Sequence, residues 1–114
     1  MKFINSSSHD RLLNFLEAVD EISFASDLDL VEEKLLNYVF IQIYKGSSVF
    51  VGDVVTLKRY GSQVTLHSRI KNLVIKGYLL LQEDASDKRK KLLVPTSKTN
   101  DHYKTLYSSF KTVS

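Results

Sequence analysis

Cysteine is absent from this chain of 114 residues, which excludes a disulfide scaffold, a thiolate nucleophile and every cysteine-containing metal site. Its absence is compatible with any redox compartment. No run approaches the roughly 18 apolar residues of a membrane span, and the apolar stretch in MKFINSSSHDR is too short for a signal peptide. The expectation is a soluble protein that stays in the cytoplasm, away from membranes. His9, His67 and His102 lie too far apart for metal-ligand spacing, and neither HExxH nor a glycine-rich phosphate loop occurs. No catalytic residue, cofactor or metal is therefore expected, and the chain does not read as an enzyme. A further absence is local: no Asp or Glu occurs between residues 54 and 82.

What is present describes a globular chain, with 43% hydrophobic and 25% charged residues and with 6 Tyr and 6 Phe. The length suits one domain, 1–114, with one modest core. Charge is unevenly spread. Residues 1–44 carry Lys2, Arg11 and Lys34 against eight acids, a balance of −5, whereas residues 45–114 carry thirteen bases against five acids, a balance of +8. A positive C-terminal two-thirds favours a polyanion, although charge runs are also often only solvated faces.

Hydrophobic spacing predicts a first helix over 9–22, HDRLLNFLEAVDEI, with Leu12, Leu13, Phe15, Leu16, Val19 and Ile22 on one stripe and Ser7, Ser8 and Asp10 as candidate caps. That stripe is broad enough to face a partner chain as well as a core. Asp27 or Asp29 can cap a second helix over 30–44, with Leu30, Val31, Leu35, Leu36, Val39, Phe40 and Ile43 inward and Glu32 and Glu33 in the favourable first turn. Its tail, VFIQIY, also alternates as a strand would; the helix is preferred. In 49–60 valine and phenylalanine favour a strand, yet Val51, Val54, Val55 and Leu57 fit a short helix ahead of Gly61.

Thr65 is the expected cap of a helix burying Leu66, Ile70, Leu73 and Val74 and ending at Gly77, with Ser68, Lys71 and Asn72 opposite and His67 and Arg69 at the edges. A strand follows over 78–81, then a turn at Asp84, Ala85, Ser86 and Asp87, the cations Lys88, Arg89, Lys90 and Lys91, and a strand over 92–94 closed by Pro95 and Thr96. A last helix spans 98–112, with Tyr103, Leu106, Tyr107 and Phe110 on one side. The fold class is mainly α with a small β-hairpin wing, a winged helix-turn-helix: 49–76 is the helix-turn-helix and 78–95 the wing.

A helix enters a major groove with short polar and cationic side chains on its first turns. Ser62, Gln63, Thr65, His67, Ser68 and Lys71 supply that chemistry. Gln63 or Arg69 suits a base edge, adenine and guanine respectively, and Ser62 and Thr65 suit phosphate. In the tip DASDKRKK, Lys88, Lys90 and Lys91 are phosphate candidates. Arg89, flanked by Asp84 and Asp87, can fix the shape of the wing through a bidentate pair or leave that pair for the minor groove.

The stretch 61–98 resembles the recognition helix and wing of MarR/SarA-type winged-helix transcriptional regulators. The matching pieces are Leu73, Lys76-Gly77-Tyr78, Asp87-Lys88-Arg89 and Val94-Pro95-Thr96; over 28–60 only the order of elements matches. The resemblance implies a homodimer on a pseudo-palindromic operator in double-stranded DNA, with the helix near Thr65 in the major groove and Arg89 near the minor groove. It implies dimerisation through 9–22 and 98–112, hence through Leu12, Phe15, Leu16, Val19, Tyr103, Leu106, Tyr107 and Phe110. The resemblance does not extend to the long C-terminal helix pair of the MarR branch, so the expectation is a dimer interface that is smaller or built differently and less room for a ligand-sensing site; a small-molecule effector is unknown. The alternatives are a winged-helix protein-interaction adaptor and a replication or partition protein using the same fold on DNA.

Overall fold

A computed structural model describes the backbone of residues 6–113 and the side chains of residues 9–108. Among the described residues the order of elements is α1 (Ser6–Ala25), α2 (Leu30–Tyr44), α3 (Val51–Val55), a 3₁₀ turn (Lys58–Tyr60), α4 (Gln63–Ile75), β1 (Leu79–Glu83), β2 (Lys91–Pro95) and α5 (Ser97–Val113). These form two compact units, one running from Leu28 to Asn100 and the other comprising α1 and the residues of α5 from Asp101 onward. The mainly helical fold with a two-stranded wing is as expected from the sequence.

The unit 28–100 holds the core. Leu35, Leu36 and Val39 of α2, Val54 and Val55 of α3, and Leu66, Ile70 and Leu73 of α4 pack together with Val49, Tyr78, Leu79 and Leu93. Helix α2 runs unbroken to Tyr44, so the alternating VFIQIY is helical. It starts in a capping box: Asp29 accepts from the Glu32 N–H at 2.7 Å, and Glu32 accepts from the Asp29 N–H at 2.9 Å. Leu30, expected inward, is 67% exposed. Glu32 occupies the inward position of that turn instead, because it leads Leu35 and Leu36 by three and four residues and so shares their face.

The segment 49–60 keeps both of its tendencies. Val51–Val55 form the short helix, but Phe50 makes an antiparallel bridge to Leu92, and the Leu93 N–H donates to the Val49 carbonyl at 2.8 Å. Val49 and Phe50 thus line the outer edge of β2. On its other edge β2 pairs antiparallel with β1, Leu79 opposite Pro95 and Glu83 opposite Lys91. Pro95 is the last residue of its strand, where a missing N–H costs no central ladder bond.

Four further expectations need correction. Helix α1 begins at Ser6, so Ser7, Ser8 and Asp10 lie inside it and do not cap it. Helix α4 is capped by Ser62, whose hydroxyl accepts from the Thr65 N–H at 3.2 Å, so Thr65 is the third helical residue and not the cap. Val74 is only half-buried, and Tyr78 precedes β1 as a buried turn residue.

Helix α4 ends as the sequence suggests. Gly77 sits at φ 86°, with its N–H on the Val74 carbonyl and the Tyr78 N–H on the Leu73 carbonyl, which is a Schellman ending. The Tyr78 carbonyl then accepts from the Thr96 N–H and the buried Thr99 hydroxyl, fixing the start of α5 beside the end of α4. A Cβ at Gly77 meets only Lys98 Cδ, at 3.9 Å, so the cost of a side chain there is that of the left-handed backbone alone. Gly77→Ala is expected to lower stability by about 1–2 kcal/mol, read as a lower denaturant midpoint with unchanged slope.

Candidate nucleic-acid interface

Helix α4 has three differently employed sides. One is the core side of Leu66, Ile70 and Leu73. A second faces the start of α2: Arg69 Nε lies 2.7 Å from Asp29 Oδ2, Asn72 Nδ2 donates to Glu32 Oε2 at 3.0 Å, and Lys76 Nζ, just past the helix end, donates to Glu32 Oε1 at 2.6 Å. The third is an exposed stripe of Gln63, Val64, His67, Ser68, Lys71 and Ile75.

Glu32 is the most constrained ionisable group described, 1% exposed and with both carboxylate oxygens occupied. Burial pushes its pKa up. The Lys76 ammonium, the Asp29 N–H and the Asn72 amide together outweigh that push and hold it below the usual carboxylate value. Asn72, expected on the outer face, is therefore an inward ligand of Glu32. Arg69, offered as a reader of guanine, is turned toward Asp29 in an ion pair that lacks in-line hydrogen-bond geometry. The signal for this seam was present as Asp29-x-x-Glu32 placed one turn ahead of Leu35 and Leu36, but the matching partners on α4 lie 40 and 44 residues away.

Of the other residues singled out around α4, Ser62 is occupied as the cap and donates its hydroxyl to Thr65 Oγ1 at 3.0 Å. Gln63, His67, Ser68 and Lys71 stand on the exposed stripe. In the wing, Asp84 organises the loop, accepting from the Ser86 N–H, the Ser86 hydroxyl at 2.7 Å and the Asp87 N–H. Those contacts, the Ser86 hydroxyl foremost, hold its carboxyl below the ordinary range. Asp87 accepts from Arg89 Nε at 3.2 Å, from an Arg89 terminal nitrogen at 3.4 Å and from the Arg89 N–H at 3.0 Å. The Arg89 side chain lowers the Asp87 pKa while remaining 91% exposed itself. Lys88 points to solvent, Lys90 Nζ sits 5.4 Å from the Phe50 ring centroid, and Lys91 pairs with Glu83 at 3.1 Å across the hairpin.

The stripe and the wing are parts of one surface. A groove of about 550 Å³ is lined by His67, Ser68, Lys71, Ile75, Val51 and Leu81. A second, of about 470 Å³, is lined by Phe50, Val51, Gly52, Asp53, Leu81, Arg89, Lys90 and Lys91, three cations against one acid. Val51 and Leu81 belong to both, so the polar stripe of α4 passes directly into the basic wing.

In the unit of α1 and α5, Leu12, Leu16 and Tyr107 are exposed, while Phe15, Val19, Tyr103 and Leu106 are half-buried. The side chain of Phe110 lies outside the described residues.

A short helix, a turn, a second helix with an exposed stripe and a basic hairpin define the winged helix-turn-helix class. Comparison with solved structures places the fold among MarR-type proteins. A mutant of MepR from Staphylococcus aureus, solved bound to an oligodeoxyribonucleotide, matches with a TM-score of 0.65 and 17% identity, over 91% of this chain and 70% of its own. The transcriptional regulator Tm0710 from Thermotoga maritima matches with a TM-score of 0.65 and 16% identity, over 92% and 68%. A MarR protein from Peptoclostridium difficile gives a TM-score of 0.57 and 19% identity, over 95% and 70%. At such identities the likeness is one of fold. No protein-family model and no curated protein sequence matches the chain.

The Glu32 network yields a stability prediction with a defined sign. A carboxyl whose folded pKa is depressed contributes stability above its unfolded pKa, about 4.3, and loses it as pH falls through the folded value. Glu32→Ala, which removes the acceptor shared by Lys76 and Asn72, is expected to cost on the order of 3 kcal/mol at neutral pH. The deficit relative to the unsubstituted protein should shrink below about pH 4. Denaturant titrations of both proteins at several pH values check this; a constant deficit down to pH 2 contradicts it.

Proposed function

We propose that this chain is a MarR-type transcriptional regulator that binds double-stranded DNA as a homodimer. The observation that carries the reading is the continuity of the α4 stripe with the basic wing through Val51 and Leu81. An adaptor built on the same fold would tolerate their separation; a duplex needs them on one side. The absence of acids from residues 54–82 fits the same partner. MepR, similar in fold, has been solved on an oligodeoxyribonucleotide, which supports carrying the mode of binding across.

In this reading α4 enters the major groove, with Gln63 and His67 toward base edges and Ser62, Thr65, Ser68 and Lys71 toward phosphates and sugar. Lys88, Arg89, Lys90 and Lys91 follow the backbone and minor groove beside it. Arg69 acts indirectly, by setting α4 against α2. Exposed Leu12, Leu16 and Tyr107, with Phe15, Val19, Tyr103, Leu106 and Phe110, supply the dimer contact and so the spacing of two half-sites.

The test is binding to random and selected duplexes across a salt series, with stoichiometry recorded. Two chains per duplex and affinity falling steeply with salt are expected. Lys71→Ala should weaken binding on all sequences and reduce the salt slope by about one; an unchanged slope removes Lys71 from the backbone contacts. Arg89→Ala should weaken binding and, because Asp87 loses its partner, loosen the wing. Failure to bind any duplex at low salt rejects the regulator in favour of the adaptor.

A further inference from the structure

The reading face of α4 is unusual in what it offers to a base pair. Side chains on the first two turns of a groove-inserted helix reach base edges, and guanine is most often read by a bidentate Arg or Lys. Arg69, the sole arginine in α4, is held by Asp29 on the side of the helix that faces α2. Lys71, the sole lysine, stands two turns from the start, where a phosphate is the nearer partner. The first turn instead exposes Gln63 and Val64. Gln63 matches the N6/N7 edge of adenine, and an apolar side chain matches the 5-methyl group of thymine. Val64 is 81% exposed although valine is apolar and β-branched, and it makes no contribution to the core of Leu66, Ile70 and Leu73. The Ser62 cap fixes its direction, since Ser62 ties the helix start through the Thr65 N–H.

We infer that α4 selects A·T base pairs, with Gln63 reading adenine and Val64 acting as a specificity-determining residue by packing on a thymine methyl. This rests on the DNA-binding function proposed above. Arg69 is then part of the specificity by its absence: while Asp29 holds it, the helix presents no guanidinium to guanine.

The experiment starts from duplexes selected out of a random pool by the full-length protein. Each thymine under the selected site is then replaced singly by deoxyuridine, which removes the methyl and leaves pairing intact. For the wild type one position is expected to lose about fourfold in affinity, the equivalent of burying one methyl group. For Val64→Ala, at an exposed site that folding does not need, the same replacement should cost almost nothing. Asp29→Asn, which keeps a side-chain oxygen to cap α2 but removes the charge that holds Arg69, should raise affinity for variants carrying G·C at the central positions relative to the selected site. Selection of G·C under the helix, or indifference of the wild type to every deoxyuridine, overturns the inference while leaving DNA binding intact. Binding of no duplex overturns both, and is recognised before any base is replaced.

Discussion

A single carboxylate, that of Glu32, fixes how α4 is turned, and the rest of the interface follows from it. Taking a charge out of water is costly, and the structure offsets the cost with an ammonium, an amide and a backbone N–H converging on two oxygens. An apolar side chain in its place would fill the space but offer Asn72 and Lys76 no acceptor, so the polar contacts that add to the packing of Leu66, Ile70 and Leu73 in setting the rotation of α4 would be lost. With Asn72 and Lys76 drawn to Glu32 and Arg69 to Asp29, the opposite side of α4 has one setting. Val64, His67, Ser68, Lys71 and Ile75 are outward because 69, 72 and 76 are inward. The same carboxylate closes the capping box of α2, so the start of one helix and the orientation of the other depend on a common group.

The wing is ordered by a different economy. Asp84 folds the tip on itself through Ser86 and Asp87, and Asp87 holds Arg89 without burying it. Exposed ion pairs of this kind add little to stability. Their effect is on shape: the guanidinium is kept near one position at the edge of the groove that Lys90, Lys91 and Leu81 share. In the proposed complex an anionic backbone arriving there would meet an arranged cation and compete with Asp87 for it. Lys91, paired with Glu83 across the hairpin, is a weaker candidate for the same partner than Lys88, which stands free in solvent.

Much of this was legible in the sequence because it is local. The span of α2, the glycine ending of α4 and the hairpin with its charged tip follow from periodicity, capping residues and turn residues within a few positions of one another. The dual nature of 49–60 was also visible, though not that its first residues would line β2 while the next turned into α3. What escaped was set by distance along the chain. Nothing near Asn72 or Arg69 announces that carboxylates some forty residues earlier will claim them, and so Asn72 was assigned to the outer face and Arg69 to its edge as a base reader. Glu32 was taken as a dipole partner at a helix start, when its spacing from Leu35 and Leu36 already placed it on the buried side.

The most direct measurement is an NMR titration of the isotope-labelled protein with a selected duplex, following backbone amides and the side-chain amides of Gln63 and Asn72. If α4 is oriented by Glu32 as described, the shifts concentrate on residues 62–68, Lys71 and the wing from 87 to 91, while the Asn72 side-chain amide and the first turn of α2 stay in place. Large shifts at Asn72, Lys76 and the start of α2, with Gln63, Val64 and Lys71 unmoved, contradict it.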